Sequence, residues 1–314
     1  MAKQAVLLLA HGTPETIEQI PDYLHNVTGG RPLPAELIVE IQRRYALIGH
    51  SPLTEITFEQ AHLVETELAA AGEPLRVYVG MRNWQPTIAE AVLNMRTDSV
   101  EECVAICLAP QNSRTSVGLY RRALEAEIAA RTTGLRVDFT AGWATHPLLI
   151  DAFAERLEPA WTKLSAEENS PIPVLFTAHS VPLRTLAATE RLPADSYAEE
   201  ARQTAALVAS RVPQIGNWHF AFQSQGASGG GWIGPTVEET LQSIAATEAK
   251  AVLLQPIGFL ADHVEILYDV DILFREVAAK MGMRLERPAS LNGSPTLAKA
   301  VAKLARQGLE RLRN

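Results

Sequence analysis

Cysteine is scarce in this chain of 314 residues, which has two, at positions 103 and 107. Two thiols are too few for the disulfide framework that holds many small secreted domains together. They are also too few for a structural zinc site unless two further ligands lie nearby. Both fall in the apolar stretch CVAICLAP, where their even separation places them on one face of a strand. We predict that Cys103 and Cys107 are buried as small hydrophobic residues.

Long apolar runs and a surplus of basic residues are also lacking. No stretch of the sequence approaches the roughly 20 apolar residues that a membrane-spanning helix needs. The first residues lead directly into a strand pattern, which argues against a signal peptide. Acidic residues outnumber basic ones by 36 to 28, for a net charge of −8, whereas nucleic-acid binding needs a basic surface. The sequence therefore predicts a cytoplasmic protein that binds no nucleic acid and has at most peripheral contact with a membrane.

One nine-residue pattern occurs twice, once in each half of the chain. Residues 6–14 read VLLLAHGTP, and residues 174–182 read VLFTAHSVP. Each is an apolar run typical of a buried parallel strand, followed by Ala-His and a turn that contains proline. Ligands of open α/β sheets bind beyond the carboxyl ends of the strands. His11 and His179 are therefore predicted to lie at a cleft between two similar halves.

Strand-like and helix-like segments alternate along the whole chain. The strand-like runs are residues 4–10, 75–80, 103–109, 135–140, 173–178, 218–223, 251–256 and 283–286. The helical patterns include residues 58–71, 120–131, 198–211, 236–246 and 295–311. The alternation predicts an α/β fold with two Rossmann-like halves, each a parallel sheet flanked by helices. We expect residues 1–113 and a returning helix in residues 290–314 to form one half, and residues 114–289 the other.

The segment ADHVEILYDVD, residues 261–271, is a second candidate for chemistry. Asp262 can cap a helix, and Glu265 and Asp269 are four residues apart, which stacks them on one helical face. Carboxylates beside a histidine can conduct a divalent metal. The spacing alone is equally compatible with a solvated helix surface.

Several separate segments resemble the ferrochelatase family, whose members insert ferrous iron into a porphyrin to make haem. They occur in the family's order and span nearly the whole chain: LLLAHGTP from Leu7, GMRNWQPTIAEAV from Gly80, LAPQNSRTSVGLY from Leu108, TAHSVPLRT from Thr177, FQSQGASGGGWIGPTVEETL from Phe222 and PIGFLADHVEILYDVD from Pro256. The pairing of AHS with GF-x-x-DH-x-E-x-LYD is specific to the family. The resemblance implies a lyase that forms nitrogen–metal bonds, built from two chelatase-like halves.

The resemblance also implies roles for particular residues. His179 and Glu265 match the histidine and glutamate that face each other across the porphyrin pocket, where they ligate the metal and accept pyrrole protons. His11 is implied as a further metal and substrate contact, and Asp269 and Asp271 as an acidic row that delivers iron. The positions that resemble contacts to the macrocycle or its propionates are Arg44, Tyr45, Ser51, Arg82, Tyr120 and Trp232.

The ligands and partners follow from the same resemblance. Ferrous iron is expected as a substrate, together with a porphyrin, and haem as the product. No tightly bound cofactor is expected, and no iron–sulfur cluster, because the cysteine cluster that holds one in some relatives is missing. An iron donor and a haem acceptor are expected as protein partners of a monomeric enzyme.

Three positions depart from the coproporphyrin-type pattern of the family. His11 stands where those members carry a tyrosine, Thr28 where they often carry a basic residue, and Leu273 at the usual outer glutamate of the acidic row. Since the hydrophobic lip of membrane-associated protoporphyrin enzymes is not evident before Ser51, we predict coproporphyrin III rather than protoporphyrin IX as the substrate. Two alternatives stay open: a cobalt or nickel chelatase acting on a sirohydrochlorin-like ring, and a non-catalytic haem- or porphyrin-binding protein.

Overall fold

A computed structural model describes residues 3–131, 134–190, 192–225 and 231–313. Within these ranges the chain forms two parallel four-stranded sheets flanked by helices, which confirms the predicted α/β architecture of two similar halves. The strands β1 to β8 are Gln4–Ala10, Arg76–Met81, Glu102–Cys107, Arg136–Thr140, Val174–His179, Trp218–Gln223, Ala251–Pro256 and Arg284–Glu286.

Helices connect the strands and cover the sheets. The helices α1 to α11 are Ile20–Val27, Ala35–Ile48, Leu53–Ala70, Ile88–Thr97, Val117–Arg131, Pro147–Glu167, Leu183–Leu186, Tyr197–Arg211, Val237–Ala245, Arg275–Lys280 and Pro295–Arg313. A 3₁₀ turn at Ile17–Gln19 leads into α1, and a π-helix at Glu265–Phe274 continues into α10. Because π-helical turns are rare and often occur at functional sites, we expect the π-helix to contribute to the site.

Both sheets have the same strand order. It is β2-β1-β3-β4 in the first sheet and β6-β5-β7-β8 in the second, so β1 and β5, the two copies of the repeated pattern, take equivalent inner positions. A capping box also begins the helix after β2 and after β6, with Thr87 and Glu90 at α4 and Thr236 and Glu239 at α9. The nine-residue repeat is therefore one part of a repeat of whole halves.

The two halves share a hydrophobic core. One cluster of buried side chains runs from Leu8 and Ile106 of the first sheet to Phe176 and Leu253 of the second, and includes residues of α6 and α11. The helix α11 packs against α3 and β3 of the first half and against α6. Burial of this continuous apolar surface holds the halves together, so that side chains from both can form one site.

The expected division after residue 113 differs from the sheet topology. The strand β4 pairs in parallel with β3, with Glu102 opposite Arg136, although the division assigned this strand to the second half. The helix α5 forms the crossover between β3 and β4, and such a βαβ unit keeps its two parallel strands in one sheet. The first sheet therefore extends to Thr140.

The structure also tests two expectations from composition. Cys103 and Cys107 are unpaired thiols, and both are fully buried on β3 in an apolar cluster with Ala105, as predicted. Among the described residues, no helix combines the length and the apolar character that crossing a membrane requires.

Candidate active site

A cavity of about 360 Å³ lies between the halves, at the carboxyl ends of the strands. Its wall includes residues that directly follow β1, β2, β3 and β5 and others from the loop after β7, which is where ligands of α/β sheets bind. The predicted site residues that line it are His11, Arg82, Tyr120, His179, Trp232 and Glu265. The glycine-rich run at residues 226–231 has a composition that favours a loop over a ligand, and it lies outside the described residues except for Gly231.

His179 is the last residue of β5, and its imidazole is oriented by the backbone that follows. Its Nδ1 donates a hydrogen bond to the carbonyl oxygen of Ser180. A carbonyl oxygen can only accept, so Nδ1 carries a hydrogen and Nε2 is the nitrogen whose protonation can change. The hydroxyl of Tyr197 donates to the carbonyl oxygen of His179 at 2.8 Å, which holds the end of the strand in place.

Glu265 is the first residue of the π-helix, which lies in the connection between β7 and β8, and its side chain reaches the imidazole of His179. Its Oε1 lies 3.3 Å from Nε2 of His179, and each of the two side chains is 35% exposed. The backbone N–H of Glu265 donates to Nδ1 of His263 at 3.0 Å, so a neutral His263 carries its hydrogen on Nε2. The structure therefore brings together the two residues that the resemblance implied as the catalytic pair.

The two charges of this pair stabilise each other. Burial lowers the pKa of His179, but the adjacent Glu265 carboxylate outweighs it and raises the value to about 9. Burial likewise opposes the charge of Glu265, yet the protonated His179 lowers its pKa to about 2. At neutral pH the pair is thus an imidazolium beside a carboxylate, and Nε2 of His179 can accept a proton only after it has released the one it holds.

His11 follows β1 and lines the cavity as a neutral imidazole. Burial, together with the charge of Arg82, lowers its pKa to about 3. The side-chain amide nitrogen of Asn83 lies 3.0 Å from Nε2 of His11, and the ring of Tyr23 packs edge-on at 6.1 Å. The next residue, Gly12, has φ +86° and passes so close to Trp84 that a Cβ would lie 2.9 Å from its backbone nitrogen.

The structure does not join His11 to the pair of His179 and Glu265 as one metal centre. Within the described parts of the chain, no three His, Cys, Asp or Glu side chains are grouped closely enough to hold a metal ion. His11 and His179 nevertheless both line the cavity. Ligation of iron by His11 therefore stays a prediction, and the ligands available without it are the imidazole and carboxylate of the pair.

Arg82 places a cation at the cavity. Its guanidinium lies 5.7 Å from the centroid of the Tyr120 ring, and its Nε is buried without a hydrogen-bond partner among the described residues. Such a donor is suited to a carboxylate of a bound molecule. Trp232 also lines the cavity, beside Pro182.

Three other expected substrate contacts lie outside the cavity wall. Arg44 bonds to Glu40 at 3.1 Å and lies 3.7 Å from Asp269. Tyr45 is buried with its hydroxyl 3.0 Å from that of Thr13. Ser51 is buried, and its Oγ has no partner in the described part of the chain. Arg44 and Tyr45 lie on α2, which packs against the π-helix. The motif matches could not indicate this packing.

The predicted acidic row is not an open path of carboxylates. Asp269 accepts a hydrogen bond from Ser224 at 2.5 Å, and burial together with the charge of Glu265 raises its pKa to about 6. Both carboxylate oxygens of Asp271 accept hydrogen bonds from Arg287, at 2.8 Å each. Leu273 supplies no carboxylate at the next position. These groups therefore have partners within the protein, and delivery of iron along the row stays a prediction.

The cavity wall also contains residues that the sequence analysis did not select. These are polar or aromatic side chains from both halves, namely Thr13, Tyr23, Gln60, Gln111, Ser113, Thr115, Ser116, Tyr197 and His263. Several of them lie inside the motif segments that resemble the family, and the resemblance could have identified them. Tyr197 had none, because it lies at the start of α8, outside every motif segment.

Comparison with known sequences gives consistent matches over nearly the whole chain. A family model described as ferrochelatase matches residues 3–309. The ferrochelatase of Acidobacterium capsulatum is 53% identical over 319 residues and covers 99% of this chain and 96% of its own. The coproporphyrin III ferrochelatase of a Geobacillus strain is 32% identical and covers 96% of each chain.

Solved structures show the same fold at low sequence identity. The sirohydrochlorin chelatase SirB of Bacillus subtilis subspecies spizizenii, solved in complex with cobalt, aligns with a TM-score of 0.59 over 98% of this chain and 96% of that one. The identity is 12%, so the likeness concerns the fold alone.

Proposed function

We infer that the chain, which belongs to the ferrochelatase family and is an enzyme that inserts iron into a porphyrin, uses His179 and Glu265 for the insertion step. The observation that carries this inference is the 3.3 Å contact between Nε2 of His179 and Oε1 of Glu265 in the cavity wall. Metal insertion removes two protons from pyrrole nitrogens, so the site needs a group that accepts a proton and passes it on. Both side chains are partly exposed, which provides a route for protons to water.

The proposed proton path begins at Nε2 of His179. An arriving ferrous ion favours the neutral imidazole, because its charge repels the proton on Nε2, and this proton leaves to water at the exposed side of the pair. His179 then ligates the ion. When iron moves to the ring nitrogens, the freed Nε2 accepts one pyrrole proton, and the Glu265 carboxylate stabilises the imidazolium. The second pyrrole proton follows after the first has left to water, so two N–H bonds are exchanged for nitrogen–iron bonds.

We propose coproporphyrin III rather than protoporphyrin IX as the porphyrin. Coproporphyrin III carries four propionates and protoporphyrin IX two, so a cation and hydroxyl groups in the cavity wall favour the former. The support comes from the unpartnered Nε of Arg82 and the hydroxyls of Ser113, Thr115 and Ser116 at the cavity. Relatives described as coproporphyrin III ferrochelatases match nearly the full chain, for example the Geobacillus enzyme.

The test compares both porphyrins with ferrous iron under anaerobic conditions. The loss of the free-porphyrin absorption bands gives kcat/KM for each, and we expect the larger value for coproporphyrin III over many turnovers. An equal or larger value for protoporphyrin IX would overturn the substrate proposal and leave the chelatase assignment intact. Stoichiometric binding of both rings without metallation would overturn the insertion mechanism.

We propose that the enzyme carries no iron–sulfur cluster. Such clusters are generally held by four thiolates, and the sequence has two cysteines, which are both buried on β3. Iron is accordingly a substrate and not a resident cofactor. The iron donor and the haem acceptor stay predictions.

His11 supports a second candidate, insertion of cobalt or nickel into a sirohydrochlorin-like ring. Its neutral imidazole lines the cavity, and imidazole is a good ligand for both metals as well as for iron. Metal competition with a sirohydrochlorin substrate separates the candidates. Faster turnover with cobalt or nickel on that ring than with iron on a porphyrin would favour the second.

A further inference from the structure

Arg287 lies in a buried polar cluster beside the π-helix. Its Nε and Nη2 each lie 2.8 Å from an oxygen of Asp271, and Nη2 lies 3.0 Å from Oδ1 of Asp262. Its Nη1 donates to the carbonyl oxygen of Pro288 and to Oγ of Ser290. The side chain is 11% exposed. The guanidinium is thus a largely buried charge whose N–H groups all have acceptors.

The two carboxylates bracket the segment that carries Glu265. Asp262 precedes Glu265 by three residues along the chain, and Asp271 follows it by six. Asp262 is held further by Asn292, whose Nδ2 donates to Oδ2 at 2.8 Å and whose Oδ1 accepts from the Asp262 backbone N–H at 2.8 Å. The carbonyl oxygen of Asn292 accepts from Gln60, a cavity residue on α3. The cluster therefore connects the first half to both sides of Glu265.

An arginine is the side chain that this geometry requires. A planar guanidinium can form two parallel hydrogen bonds to Asp271 and a third to Asp262, whereas an ammonium is a single point of charge. A buried ion pair gives little net stability against a well-packed apolar replacement, but removing one partner leaves a costly unpaired charge. The cluster is therefore better explained by the position it imposes than by a gain in stability.

We propose that Arg287 is a positioning residue for metal insertion. By joining Asp262 to Asp271 it holds the start of the π-helix and thereby sets where Glu265 lies relative to His179. The inference rests on the proposed function, which assigns Glu265 to the insertion step. It also gives Asp271 the task of holding Arg287, in place of the expected ligation of passing iron.

The chain offers a matched control. Arg311 bonds to both oxygens of Asp138 with its Nε and Nη2, at 2.8 and 2.7 Å, nearly the same geometry as Arg287 with Asp271. Neither Arg311 nor Asp138 lines the cavity. The test therefore compares Arg287→Lys with Arg311→Lys in the full-length protein, by steady-state kinetics for iron and porphyrin and by thermal unfolding.

We expect Arg287→Lys to lower kcat by about 10- to 100-fold, the usual effect of losing a residue that orients a metal ligand. The KM for each substrate should change by less than about threefold, because neither the cavity wall nor an iron ligand is removed. Arg311→Lys should leave kcat unchanged. A wild-type kcat in folded Arg287→Lys, or an equal fall in Arg311→Lys, would overturn the proposal.

Asp271→Asn provides a second and milder test that keeps the side-chain volume, and it decides the matter if Arg287→Lys does not fold. It should lower kcat at unchanged KM for iron, and the double variant should be no slower than the slower single variant, because both changes break one contact. A raised KM for iron in Asp271→Asn alone would show iron ligation and refute the assignment. Glu265→Gln distinguishes failure of the proposed function from failure of this inference. A wild-type rate in Glu265→Gln would contradict the proposed function. An inactive Glu265→Gln beside a fully active Arg287→Lys would contradict the positioning role of Arg287 alone.

Discussion

Replacing Glu265 by glutamine tests whether its carboxylate sets the charge of His179. The substitution keeps the length of the side chain and removes a negative charge 3.3 Å from Nε2 of His179. Coulomb's law gives such a pair about 1 kcal/mol at a dielectric constant of about 80 and about 5 kcal/mol at about 20. At about 1.4 kcal/mol per pH unit, this changes the pKa of His179 by roughly 1 to 4.

We therefore expect the pKa of His179 to fall from about 9 toward or below its ordinary value of 6.5 in Glu265→Gln, because burial then acts without the opposing charge. The measurement is the NMR titration of ring nitrogens in histidine-labelled protein, with the His179 signal identified by its loss in His179→Gln. Asp269→Asn is the matched control, since that carboxylate acts on His179 least among the named groups. A pKa that stays near 9 in Glu265→Gln would refute the reasoning.

Three further predictions follow from the same groups. Asp269 has a pKa of about 6 instead of 3.8 because of burial and Glu265, so its ionised form costs stability above pH 6. Asp269→Asn should therefore raise the free energy of unfolding near pH 8 by up to about 3 kcal/mol and give no gain near pH 4. An equal gain at both pH values would contradict this. His11 has a pKa of about 3 instead of 6.5, so between these pH values only the unfolded chain binds its proton, and stability is lost as the pH falls below 6.5. His11→Gln should therefore make the fall of Tm on acidification smaller. An unchanged fall of Tm would count against a neutral His11. His179→Ala should lose nearly all turnover while His11→Ala mainly changes haem affinity, measured by kcat and by haem titration; wild-type turnover in His179→Ala, or full loss in His11→Ala at normal porphyrin affinity, would reverse these roles.

The strands were the most predictable part of the fold. Apolar runs ended by proline or polar residues predict β1, β6 and β7 with the bounds that the structure has, because a buried parallel strand needs an unbroken apolar run. The helix α6 was not among the named patterns, since Pro159 lies inside it and proline usually marks a helix boundary. The sheet to which β4 belongs could not be predicted either, because pairing between strands leaves no local signal.

The site, like the fold, has features that the sequence predicts and features that it does not. Local patterns and motifs were enough to predict the family, the repeated halves, and the placement of His11, His179 and Glu265 at strand ends or on a following helix. The ion pair of Arg287 with Asp271, the burial of Asp269 and the set of aromatic and hydroxyl groups in the cavity wall became known from the folded chain. Burial, charge pairing and pKa depend on neighbours that are distant in the chain, so no local pattern contains them. A motif names the reacting groups, whereas the packed structure sets their charge and their mutual position.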